Sequence, residues 1–129
     1  MAWRESFNVE PMIHTNPIPT AARTGNMLYT SVIGGRDPET GQVPADAEQQ
    51  AVNAFAILAK VLERAGATPE DVAQVKVYIK EASVRPLVNR AWLEMFPDEQ
   101  SRPARHTVVE ESLGALVQIE AIAVVQGWA

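Results

Sequence analysis

The run Leu116-Val117-Gln118-Ile119-Glu120-Ala121-Ile122-Ala123-Val124-Val125 constrains the fold more than any other stretch. Its β-branched content marks a strand, and both parities of that strand are largely apolar. Val117, Ile119, Ala121 and Ala123 share one side, and Ile122 and Val124 share the other with Glu120. A strand of this kind is covered on both faces, either by a second copy of the chain or by a core larger than the other elements supply. A carboxylate in its middle calls for a reason beyond packing.

The elements before it are short. Trp3, Phe7 and Val9 alternate with Arg4, Ser6, Asn8 and Glu10, which predicts an N-terminal strand with one buried face. Pro17 and Pro19 keep residues 14–20 an extended loop. Gly25-Asn26 turns the chain into a strand over residues 27–33, closed by Gly34-Gly35, a pair suited to close backbone approach or positive φ. Asp37-Pro38-Glu39-Thr40-Gly41 is a further turn. A helix begins at Asp46, with Gln49 three residues on as in a capping box, and stops at Gly66. Ala47, Ala51, Ala54, Phe55, Leu58, Leu62 and Ala65 form its apolar stripe, with Glu48, Gln49, Asn53, Lys60, Glu63 and Arg64 outside it.

Thr68-Pro69-Glu70-Asp71 reads as a capped turn, and Val75, Val77 and Ile79 alternating with Lys76, Tyr78 and Lys80 as a strand. Ser83 is expected to cap a second helix that tolerates Pro86 in its first turn, buries Val88, Ala91, Trp92 and Met95, and ends at Pro97. Strands over residues 104–109 and 117–125 follow, joined by a connector containing Gly114. The order β, β, α, β, α, β, β predicts an α+β fold: one domain over residues 1–129, a single sheet with two helices on one face.

Composition excludes whole classes of chemistry. No cysteine is present, so there are no disulfides, thiolate nucleophiles or Cys-based zinc sites. No apolar run approaches the ~20 residues that cross a bilayer, and Met-Ala-Trp-Arg-Glu-Ser contains no apolar h-region, so a soluble, cytoplasmic protein without membrane contact is expected. A net charge of −5 argues against a nucleic-acid surface. Gly34-Gly35 lacks the Gly-Lys-Ser/Thr and helix start of a phosphate cradle. His14 and His106 read as structural or surface residues before they read as an acid/base pair.

The stretch Arg102-Pro103-Ala104-Arg105-His106-Thr107-Val108-Val109 places a proline at the mouth of a strand and Arg105 near a sheet margin, where it can face a cleft. Arg102 reads as a solvated strand-edge charge, and Glu120 as the expected partner of Arg105. The competing readings are structural: Arg105 bridging Glu110, Glu111 or a subunit neighbour, and Glu120 in a buried ion pair between subunits. Trp92 and Phe96 read as core or subunit packing that could also wall the cleft.

Taken in order, Gly25-Asn26 leading into Thr30-Ser31, then Asp37-Pro38-Glu39-Thr40-Gly41, Ala65-Gly66, Val88-Asn89 with Trp92 and Phe96, Pro103-Ala104-Arg105 and Ile119-Glu120-Ala121-Ile122-Ala123 resemble the RidA/YjgF-like proteins from about residue 16 to residue 125. The resemblance implies a chorismate-mutase-like fold, a mostly antiparallel sheet assembled as a homotrimer with a cleft at each subunit interface. It implies an enamine/imine deaminase that hydrolyses small 2-amino-unsaturated or 2-imino acids to 2-keto acids and ammonia, with no metal or organic cofactor. Arg105 would grip the substrate carboxylate, Glu120 would position or activate water, and Ser31 and Asn89 would be polar pocket residues. Ile18 stands where well-studied members carry tyrosine, Thr107 where cysteine is common, and Val32-Ile33 where Gly-Gln is frequent. Carboxylate recognition is thus kept, while the substrate's other end is expected to differ. The alternatives are a non-catalytic trimer that binds keto acids or other carboxylates, and a ribonuclease or translation inhibitor, which acidity argues against.

Overall fold

A computed structural model describes residues 2–127. The strands are β1 (Arg4–Phe7), β2 (Ala21–Thr24), β3 (Met27–Thr30), β4 (Ile33–Gly34), β5 (Val72–Ile79), β6 (Ala104–Val109) and β7 (Val117–Val124), and the helices α1 (Ala47–Arg64) and α2 (Arg85–Met95). One mixed sheet runs β1-β2-β3-β7-β5-β6, with β4 also paired to β7. Every pairing is antiparallel except β5 with β6. The doubly apolar strand β7 therefore lies inside the sheet.

The period of two along β7 separates the faces. Val117, Ile119, Ala121 and Ala123 are buried, and α1 packs on this side. Gln118, Glu120 and Ile122 are half-buried and Val124 is exposed on the other side, which no element among the described residues covers. Val75, Val77 and Ile79 of β5 join the buried face, with Ile57, Leu58 and Val61 of α1 closing the core at 0% exposure. Burying each such side chain stabilises the fold by about 1.5–3 kcal/mol.

Local chemistry sets the ends of α1. Asp46 accepts from the Gln49 backbone N–H at 3.0 Å, while the Gln49 side chain turns away to Asn53, so the capping box is only half formed. At the other end Gly66 has φ +74°, its N–H donates to Glu63, and the Ala67 N–H reaches Leu62, the paired bonds of a Schellman motif. Asn53 is buried, contrary to the polar-face expectation, because its amide donates to the Gly35 carbonyl at 3.0 Å. A Cβ on Gly35 would lie 2.6 Å from Gln50 backbone atoms, so of the two uses open to the glycine pair this position requires close approach.

Four other expectations change. Trp3 is 71% exposed, because β1 is an edge strand and only its Phe7 end reaches the core. β2 is an unpredicted strand, since Ala-Ala-Arg-Thr carries little β signal, yet it completes a hairpin around Gly25 at φ +58°. The strand expected over residues 27–33 divides into β3 and β4. Ser83 caps nothing: a 3₁₀ turn at Ala82–Val84 leads into α2, the Val84 and Arg85 N–H groups bond to Glu81 and Ala82, and Pro86 has no N–H to satisfy. Among the described residues no helix is long and apolar enough to cross a membrane.

Candidate functional site

β6 ends the sheet order and runs parallel to β5, with Arg105 opposite Val75 and Thr107 opposite Val77. That parity turns both side chains toward α2. Arg105 Nη1 donates to Asn89 Oδ1 at 2.8 Å and Nε to Thr107 Oγ1 at 3.1 Å. Its Cζ lies 5.2 Å from the centre of the Trp92 ring, within cation–π range. Trp92 is itself fixed edge-on by Phe55 and Phe96, with centroids at 6.5 and 4.9 Å. Trp92 is thus core and cleft wall at once.

No carboxylate forms an ion pair with Arg105 among the described residues, so the bridges to Glu110 or Glu111 are not made. Nη2 makes no hydrogen bond there either. Burial, and secondly the nearby Arg85 charge, lower the guanidinium below its ordinary value. A half-buried cation with an open end of its fork has the donor geometry that matches a planar anion. Arg102, by contrast, is occupied: it donates to the Phe96 and Pro97 carbonyls and ties the chain after α2.

The expected Arg105–Glu120 contact is absent within the chain. Glu120 pairs with Lys76 across β7 and β5, so it belongs to the uncovered face, whereas Arg105 faces α2 from two strands away. The Tyr78 hydroxyl donates to Glu120 Oε1 at 2.8 Å, and Lys76 Nζ lies 5.5 Å from the Tyr78 ring centre. The Glu120 bond, with burial behind it, raises Tyr78 above its ordinary 10.0, so the phenol stays a donor at neutral pH. Tyr29, Thr30, Gln74, Lys76 and Glu120 line a cavity of ≈ 150 Å³ on this face.

Ser31 and Ile18 lie at the end of β3. Between the pairs Tyr29↔Ile122 and Ile33↔Ile119, residues 30–32 span only residues 120–121, a bulge that sets Ser31-Val32 beside Glu120. Thr30 Oγ1 holds the bulge by accepting from the Ala121 N–H at 2.9 Å. The Ser31 hydroxyl donates to the Pro19 carbonyl at 2.8 Å, and neighbouring Ile18 is 44% exposed. The predicted residues therefore form two groups: Arg105, Asn89 and Thr107 on the α2 side, and Glu120 with the Ser31 and Ile18 loops elsewhere. Tyr78 was missed, although its place on the polar parity of β5 beside Lys76 was the available signal. Among the described residues no group of three or more His, Asp or Glu side chains is placed to hold a metal.

The family model described as endoribonuclease L-PSP matches residues 13–125. A RutC family protein of Aquifex aeolicus is 30% identical over 123 residues, covering 94% of this chain and 98% of that protein. The 2-iminobutanoate/2-iminopropanoate deaminase of Escherichia coli K12 is 33% identical over 103 residues, 78% of this chain and 80% of the relative. Among solved structures, RidA from an Antarctic Psychrobacter superposes with a TM-score of 0.79 at 26% identity over 88% of this chain and 92% of its own. Escherichia coli TdcF with bound serine gives 0.79 at 27% identity over 86% and 90%. The sheet order, the two helices and these matches agree, and the chain belongs to the endoribonuclease L-PSP family of RidA/YjgF-like proteins.

Proposed function

We propose that the protein is a cofactor-independent deaminase that hydrolyses small 2-imino or 2-amino-unsaturated acids to 2-keto acids and ammonia. The observation that carries this reading is the unneutralised Arg105 guanidinium, pre-set by Asn89 and Thr107 on the Trp92 ring. A carboxylate docked on it completes two charge-assisted bonds, each contributing roughly 1.5–3 kcal/mol. The deaminase activity named for the Escherichia coli relative and the serine bound to TdcF both involve small amino-acid-derived carboxylates, which supports this ligand class.

Glu120 is the base in this reading, and it cannot reach a small acid held on Arg105 of the same copy. A homotrimer resolves this if the uncovered face of one copy meets the β6 edge of the next. Tyr78 then fixes Oε1 and leaves Oε2 to take a proton from water as the oxygen attacks the imine carbon. On the protonated imine this gives a neutral carbinolamine; Glu120 returns that proton to the nitrogen, the C–N bond breaks as the hydroxyl proton passes to Glu120, and ammonia leaves with the keto acid held on Arg105. Ile18 and Val32 border the substrate's other end.

The test is keto-acid and ammonia release from 2-aminoacrylate and larger 2-imino acids generated in situ, after subtraction of spontaneous hydrolysis. Acceleration by the wild type that falls at least tenfold in Arg105→Ala at low substrate supports the reading. No acceleration from a folded protein that still binds keto acids would make the same cradle a carboxylate-binding site without turnover.

A further inference from the structure

The outward surface of α1 departs from the polar pattern of a water-facing helix side. Asn53 is turned inward to Gly35, while Val52 and Ala56 are half-buried and Ala59 is exposed. With Ala91 and Met95 of α2 and with Pro69 they line a cavity of ≈ 350 Å³ between the two helices. Met95 and Pro69 also border a cavity of ≈ 220 Å³ that runs toward Pro97 and Ser101, so the two form one groove. Its floor is preformed, because Phe55 under the first cavity and Phe96 under the second are both packed edge-on to Trp92.

Charge restricts what can fill the groove. Glu94 lines the larger cavity, Glu70 and Asp98 line the smaller, and among the described residues no Lys, Arg or His lines either. Of the three acids only Glu94 is ion-paired there, to Arg90, and Arg102 is engaged by the Phe96 and Pro97 carbonyls. Glu94 and Met95 lie about 140° and about 120° around α2 from Asn89, so the groove faces away from the Arg105 cradle. It also lies on the helical side of the sheet, and contact between copies through the Glu120 face leaves it open. A further copy of the chain is a poor occupant, because its net charge of −5 would set acid against acid.

We propose that this groove docks an amphipathic helix of another protein, with two large apolar side chains on its inner face and Lys or Arg on its flanks. The furrow between two packed helices accepts a third, and the adjoining cavities take one apolar anchor each. Met95, unbranched and set between them, adapts to either. The acidic rim aligns the basic flanks and rejects acidic helices. The docking site is independent of the deaminase reading, since it uses neither Arg105 nor Glu120.

The probe is a fluorescein-labelled peptide of about 18 residues, Leu and Lys in amphipathic helical order, beside a counterpart of Leu and Glu. Anisotropy at physiological ionic strength is expected to show the Leu/Lys peptide held by the wild type at least about tenfold more tightly. Glu70→Arg should weaken it about tenfold, whereas Glu39→Arg, the same charge change on an exposed turn lining neither cavity, should alter it less than about twofold. Ala59→Gln, neutral and tolerated in an exposed helix, should weaken it about fivefold by placing a longer polar side chain in the groove. Circular dichroism melting establishes that each variant is folded. Equal affinity for the two peptides, equal weakening by Glu70→Arg and Glu39→Arg, or unchanged affinity in Ala59→Gln would overturn the docking site. Concentration-dependent self-association in sedimentation that Ala59→Gln abolishes would give the groove to another copy of the chain, and would overturn it too.

Discussion

The α2 side of β6 and the uncovered face of β7 carry opposite charges under opposite constraints. Arg105 is held by neutral groups, Asn89, Thr107 and the Trp92 ring, and its charge is left unanswered. Glu120 is held by a phenol that fixes one oxygen and leaves the other open. Neither arrangement resembles a structural salt bridge, in which each charge would satisfy the other. The two groups stand on opposite faces of one sheet with β5 between them. On the proposed function, each is half of a site whose other half belongs to a second copy.

Substitutions separate the halves by which kinetic constant they move. Glu120→Gln is expected to lower kcat by about 10²–10⁴ with little change in KM, because it removes proton transfer and leaves the carboxylate cradle intact. A KM effect of that size instead would place Glu120 in binding. Arg105→Ala should reduce kcat/KM by about 10–100-fold, mainly through KM, the loss of charge-assisted bonds to the ligand. Equal affinity for 2-keto acids in this variant would remove Arg105 from the site. Tyr78→Phe should lower kcat by about tenfold, with unchanged keto-acid affinity, since it frees Glu120 without touching the cradle. A change in ligand affinity as large as the rate effect would break the division. Asn89→Ala has the smallest expected effect, about two- to fivefold in KM, because Thr107 and Trp92 still orient Arg105.

Much of this division could be read from the chain, and the rest could not for identifiable reasons. β6 begins at Ala104 as the proline before it required, and the α1 stripe is buried at each expected alanine, leucine and phenylalanine. Arg105, Asn89 and Thr107 do converge. The Arg105–Glu120 pairing failed because strand parity fixes a side chain's face only once the pairing register is known. β6 was seen as a strand, but nothing in its sequence says that it runs parallel to β5 at the edge. β2 was hidden because pairing on both sides, not propensity, makes Ala-Ala-Arg-Thr a strand. Asn53 was placed on the wrong face because its bonds to the Gly35 carbonyl and from the Gln49 amide offset the cost of burying it.

The most direct test of a site shared between copies is complementation by mixing. Arg105→Ala and Glu120→Gln proteins, each strongly impaired alone at substrate concentrations below KM, are unfolded together in equal amounts and refolded, and imine hydrolysis is measured per cleft. In a ring of randomly mixed copies about one interface in four pairs an intact Arg105 with an intact Glu120, so about a quarter of wild-type activity should return. Activity that stays at the level of the separate variants, from a mixture shown to co-assemble, would contradict the shared site.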